Sequence, residues 1–74
     1  MESNNITYGQ MLVKIRAKKA WTQKQLARKL NCARTMVSMM ENENREPGSV
    51  LQYKITELYQ KTVLGLEQIK FRVF

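Results

Sequence analysis

Residues 22–41, TQKQLARKLNCARTMVSMME, constrain this chain more than any other stretch. Thr22 and Gln25 have the spacing of a capping box, in which a hydroxyl and an amide satisfy the free N–H groups of a helix start. Leu26, Ala27 and Leu30 then recur at helical spacing, and Val37 and Met40 do so again a few residues later. Between the two sets stands Asn31, which tolerates the left-handed backbone of a turn better than most residues. The stretch reads as two short amphipathic helices, the second over about residues 34–41, joined by a tight turn. It occupies about a quarter of the 74 residues.

The flanks supply further helices. Thr7 and Gln10 repeat the capping pattern and open a first helix to about Lys19, with Tyr8, Met11, Leu12 and Ile15 on its apolar stripe. Trp21, just before Thr22, is placed as a hydrophobic staple. After Met40 comes a polar loop, NENREPG, in which Pro47 and Gly48 stop helical continuation. Ser49 and Gln52 form a third capping pattern. The fourth helix is expected to reach about Gln60 and to bury Leu51, Ile55, Leu58 and Tyr59. Trp21, Tyr53 and Tyr59 are assigned to the core. A short fifth helix is expected over residues 63–68, capped by Thr62. In the final IKFRVF, Ile69, Phe71 and Val73 alternate with Lys70 and Arg72, which is strand periodicity. A lone strand leaves its backbone groups unpaired, so this one needs a partner chain. The expectation is an all-α, compact four- to five-helix domain over residues 7–68, preceded by a polar tail over 1–6 and followed by a short β-strand over 69–74.

Charge narrows the function. The net charge is +7, and residues 14–34 carry eight bases (Lys14, Arg16, Lys18, Lys19, Lys24, Arg28, Lys29 and Arg34) without an acid. Glu41, Glu43 and Glu46 follow. Such segregation makes a basic face suited to a polyanion. No apolar run approaches the ~18–20 residues of a membrane span, and MESNNITYG lacks the regions of a signal peptide. With a lone Cys32 there is no disulfide framework, which suits a reducing compartment. The expected location is the cytoplasm, away from membranes. Catalysis is disfavoured, because the chain has no His and no Asp. No Cys/His metal site can form, no cofactor is expected, and Gly9, Gly48 and Gly65 are too isolated to cradle a phosphate.

Residues 9–67 resemble the phage-repressor and Cro-type helix-turn-helix, the XRE family. The matching residues are Arg16, Trp21-Thr22-Gln23, Leu26-Ala27, the Asn31 turn, Val37, Met40-Glu41-Asn42, Arg45 and Pro47. Three positions depart from the pattern. Ala33 stands where Ser or Thr usually caps the second helix of the motif, a loss of about 1 kcal/mol. Glu43 replaces a frequent glycine and puts an acid near the expected path of a DNA backbone. The C-terminal strand lies outside the common pattern, although some small members dimerise through such a tail.

The resemblance implies roles. In a helix-turn-helix the second helix enters the major groove, so Arg34, Thr35, Ser38 and Met39 are expected to read bases. Arg34 is the leading candidate, since its planar fork matches O6 and N7 of guanine; the alternatives are a phosphate contact or a solvated arginine. Met39 is suited to a thymine methyl. Phosphate contacts are expected from Thr22, Gln23, Lys24, Met36, Asn42, Asn44 and Arg45. Gln23 sits at a helix N-terminus, which favours anions, and Met36 is open between backbone contact and packing. Arg16 and Glu41 match a partly buried ion pair tying the first helix to the end of the third. Cys32 is read as filling a small apolar site; the competing reading is a redox thiol whose pKa Arg28 and Arg34 lower. Ile69, Phe71 and Val73 are expected at a dimer interface.

The function so implied is a sequence-specific transcriptional regulator, more specifically a repressor. It would bind a pseudo-palindromic double-stranded operator as a homodimer. The alternative keeps the fold and changes the partner: an interaction module, such as an antirepressor or antitoxin, bound to a repressor or toxin through the tail and the Glu43/Glu46 patch.

Overall fold

The computed structural model describes residues 6–65. Four helices follow one another: α1 (Tyr8–Lys19), α2 (Gln23–Leu30), α3 (Arg34–Glu41) and α4 (Ser49–Thr62). Among the described residues there is no strand. The expected strand over 69–74, with Ile69, Phe71 and Val73, lies outside them.

Both early capping boxes form. The Thr7 hydroxyl accepts from the Gln10 N–H, and the Gln10 side chain accepts from the Thr7 N–H. Thr22 and Gln25 do the same. Helices α1 to α3 end without glycine: Ala20, Asn31 and Glu43 each take positive φ, near 60°. After α3 the Glu43 N–H reaches the Met40 carbonyl and the Asn44 N–H reaches Met39, which satisfies the last carbonyls of that helix. Left-handed Ala and Glu carry a steric cost that glycine escapes.

The core gathers one stripe from each helix. Leu12 and Ile15 of α1, Leu26, Ala27 and Leu30 of α2, Val37 and Met40 of α3, and Ile55 of α4 are all buried. Each large one contributes about 1.5–3 kcal/mol. Tyr8, Met11, Trp21, Met36, Leu51, Leu58 and Tyr59 pack around them, half-buried. Helix α4 packs chiefly on α1, while α2 and α3 pack on each other, and α3 also on α1.

Several details depart from the sequence reading. Gly48, rather than Ser49, caps α4, and no side chain bonds to that helix start. Pro47 is buried, which draws the chain into the helix one residue early. The Gly48 carbonyl then receives the Gln52 N–H, and the Gln52 amide donates to the Pro47 carbonyl at 3.0 Å. Glycine is nearly as good a cap as serine, so little stability is lost. Helix α4 also runs past Gln60 to Thr62. The Thr62 hydroxyl donates back to the Leu58 carbonyl at 2.7 Å and caps nothing. Residues 63–65 form a turn that ends on Gly65 at φ 67°, so the fifth helix does not begin at 63; residues 66–68 of that expectation lie outside the described residues. Tyr53 is 68% exposed. It lies off the Leu51–Ile55–Leu58 stripe, on the opposite face of α4 beside the equally exposed Val50.

Candidate nucleic-acid interface

Helix α3 is anchored from below by Val37 and Met40, and this leaves its other face outward. Arg34 and Thr35 are exposed, Ser38 is half-buried and Met39 is 36% exposed. Positions 34, 35, 38 and 39 fall on one side because residues three to four apart share a helix face. Met36 is half-buried and packs against the core.

The far end of α3 is fixed by an ion pair. Arg16 Nε donates to Glu41 Oε2 at 2.8 Å, and Arg16 Nη2 to Oε1 at 3.1 Å, a bidentate arrangement. The Glu41 side chain is 7% exposed and that of Arg16 29%. The hydrogen bond to Glu41 raises the Arg16 pKa further, against an opposing effect of burial. A third guanidinium nitrogen, Nη1, donates to the Trp21 carbonyl at 3.3 Å. Arg16 thus joins α1, the α1–α2 turn and α3.

Gln23, in the first turn of α2, is half-buried. Its Nε2 donates to Glu41 Oε1 at 3.0 Å, and its Oε1 accepts from Arg34 Nη1 at 3.3 Å. The side chain expected on phosphate is therefore engaged with protein groups. What remains open is the backbone: Thr22 caps the Gln25 N–H, and the N–H groups of Gln23 and Lys24 have no acceptor four residues earlier. Those amides and the exposed Lys24 make an anion-facing helix start. The first turn of α3 is similarly open, because Ala33 makes no side-chain cap bond.

Asn42, Asn44 and Arg45 are exposed along the loop after α3. Glu43 shares that loop but turns away from it. Its carboxylate accepts from the Thr7 hydroxyl at 2.8 Å, over the start of α1. That contact places the negative charge at a helix N-terminus, where the dipole favours it. Lys19 and Lys29 flank the Trp21 ring at 5.8 and 5.4 Å, and Lys54 reaches toward the Leu30 carbonyl at 3.5 Å.

Cys32 is half-buried against the core, and burial raises its pKa despite a smaller opposing effect of Lys54. This contradicts the lowered pKa needed for the redox-thiol reading; Arg28 and Arg34 do not act on it. The sequence reading took Gly9 only as an isolated glycine and missed its packing role. A Cβ there would overlap the Met40 carbonyl oxygen, so its missing side chain lets α1 approach the end of α3. Its one signal was a glycine early in an otherwise helical pattern.

Two helices at a tight turn, the second presenting a polar outer face, define a helix-turn-helix of the DNA-binding kind. A helix-turn-helix family model matches residues 12–66, well over half of the chain, and the protein belongs to that family, of the XRE/Cro type. It is thus a DNA-binding regulatory domain rather than a member of an enzyme family. No curated protein and no solved structure matches the chain. Among the described residues no helix is long and apolar enough to cross a membrane.

Proposed function

We propose that the protein is a transcriptional repressor that binds a pseudo-palindromic operator as a homodimer. Each α3 lies in a major groove, with the two copies about 34 Å apart. Arg34, Thr35, Ser38 and Met39 read bases. Thr22, Gln23, Lys24, Asn42, Asn44 and Arg45 hold phosphates, Gln23 through its backbone N–H; Met36 packs against the core and its N–H is bonded to the Ala33 carbonyl at 3.0 Å. Repression then needs only occupancy of the promoter, at the site of the DNA in the cytoplasm. The observation that carries this reading is the outward face of α3, held at one end by the Arg16–Glu41 pair and flanked by open helix starts. Ile69, Phe71 and Val73 pair the two copies; their alternation in sequence supports that role.

The test is a gel-shift titration on duplexes enriched from a random pool, with the full chain and with residues 69–74 removed. Tight, salt-sensitive binding that weakens on truncation supports the reading. Binding that is monomeric and indifferent to truncation removes the dimer. A second reading, a module that binds another protein, draws on Val50 and Tyr53, which are 69% and 68% exposed on α4. The Glu43 half of its acidic patch is already occupied by Thr7. A chain that enriches no duplex at low salt favours that second reading.

A further inference from the structure

Glu43 stands where the family pattern often has glycine, and its backbone is left-handed, at φ 62°. Glycine takes that conformation freely, whereas a residue with a Cβ does not. Its N–H closes on the Met40 carbonyl at 3.0 Å, and the Asn44 N–H on the Met39 carbonyl at 2.9 Å. A glycine would make those same two backbone bonds. What glycine lacks is the carboxylate, which accepts from the Thr7 hydroxyl at 2.8 Å, across 36 positions of sequence. The direction of that bond follows from chemistry: an ionised carboxylate only accepts, so the hydroxyl donates to Glu43 while it accepts from the Gln10 N–H. One oxygen of Thr7 thus caps α1 and latches the loop after α3. Gly9 leaves the room for it, since a Cβ there would lie 3.3 Å from Glu43 Cγ.

We propose that Thr7 and Glu43 are positioning residues for the DNA backbone, acting through Asn44 and Arg45. Asn42, Asn44 and Arg45 are exposed on the loop, and among the described residues Glu43 alone of these four ties its side chain to the start of α1. The latch has two effects. It holds the backbone of residue 43, which sets the direction in which the next two residues leave α3. It also keeps the carboxylate over the N-terminus of α1, where the helix dipole favours it, and away from phosphates that it would repel. Ordering the loop before DNA arrives lowers the entropy lost on binding. The inference rests on the reading of Asn44 and Arg45 as phosphate contacts.

The experiment compares Thr7→Asp with Thr7→Asn in the full chain, each alone and combined with Glu43→Gly. The two side chains have the same shape and cap a helix about equally well, so α1 keeps its start. Only the amide can donate to Glu43; a second carboxylate repels it. Duplexes are enriched from a random pool by the unsubstituted protein and titrated at several salt concentrations. Circular dichroism establishes folding, and amide hydrogen exchange follows the loop. Thr7→Asp is expected to speed exchange of the Asn44 N–H. It should weaken binding about two- to ten-fold, the worth of one hydrogen bond, equally on all sequences. The salt dependence should become shallower by about one phosphate contact. Thr7→Asn should restore all three. In the Glu43→Gly background the two substitutions should bind alike. A Thr7→Asp effect that survives there is long-range repulsion and overturns the proposal, as does unchanged binding or a loss confined to one base pair. Should Thr7→Asp prove unfolded, Glu43→Ala, which removes the carboxylate and leaves the cap, must show the same faster exchange and shallower salt dependence. If the unsubstituted chain enriches duplexes but Arg45→Ala leaves the salt dependence unchanged, the proposal falls while DNA binding stands. If it enriches none, both fall together.

Discussion

Replacing Gly9 with alanine sets two effects of opposite sign against each other. Within a helix the change ordinarily stabilises by about 0.5–1 kcal/mol, because alanine has less backbone freedom to lose. Here the new Cβ would overlap the Met40 carbonyl oxygen and press on the Met40 carbonyl carbon and the Glu43 side chain. That carbonyl is already engaged by the Glu43 N–H, closing the end of α3. It cannot swing aside without opening the turn. Helix α1 must instead back away by on the order of 1 Å to restore ordinary C···O contact. Overpacking of this kind costs about 1–3 kcal/mol, so the net loss should be about 1 kcal/mol at mid-range and at most about 2.5 kcal/mol. For a domain of this size each kcal/mol moves the melting midpoint by about 4–8 °C. Thermal and urea unfolding of the full chain, followed by far-UV circular dichroism, measures it. A midpoint equal to or above that of the unsubstituted protein would refute the close-approach argument and leave only helix propensity.

Other perturbations probe the remaining contacts. Arg16→Ala should destabilise more than Glu41→Ala: the first strands a carboxylate that is 7% exposed, at about 3 kcal/mol, while the second frees an arginine able to rehydrate; equal midpoints in chemical denaturation would contradict this. Ala33→Ser should stabilise by about 1 kcal/mol by supplying the missing cap to α3, as read by urea unfolding. Cys32 should react with iodoacetamide more slowly than an unstructured thiol at neutral pH, since burial raises its pKa. Because the folded state holds that proton more tightly, the associated stability is fully present below the ordinary thiol pKa of about 8.5 and is lost as pH rises above it. Faster alkylation than that of the unfolded chain would reverse the assignment.

What the sequence made legible was local. The Thr7 and Thr22 boxes, the Asn31 turn and the bounds of α3 follow from spacings of three or four residues, and the buried stripe from helical period. The motif also pointed to Arg16 and Glu41 as partners. Hydroxyls were the ambiguous signals. A Ser or Thr three residues before Gln or near a helix end serves equally as a cap or as a back-bonding helical residue; burial of Pro47 decided Ser49, and continuation of α4 decided Thr62. Tyr53 was misplaced because an aromatic ring suggests a core when its phase on the helix does not. Gly9 and the Glu43–Thr7 bond were unreadable, since each depends on α1 meeting the end of α3, more than thirty residues away in sequence. Gln23 was legible as a helix start, but the direction of its amide depends on Glu41 and Arg34 together.

The central claim is that α3 enters the major groove and that Arg34 reads a guanine there. Methylation interference tests it most directly, because methylating guanine N7 obstructs that edge without touching the phosphates. On an enriched duplex, interference should fall at guanines in two symmetric positions about one helical turn apart, and should vanish at those guanines with Arg34→Ala. Tight binding that tolerates N7 methylation throughout the duplex would contradict the account.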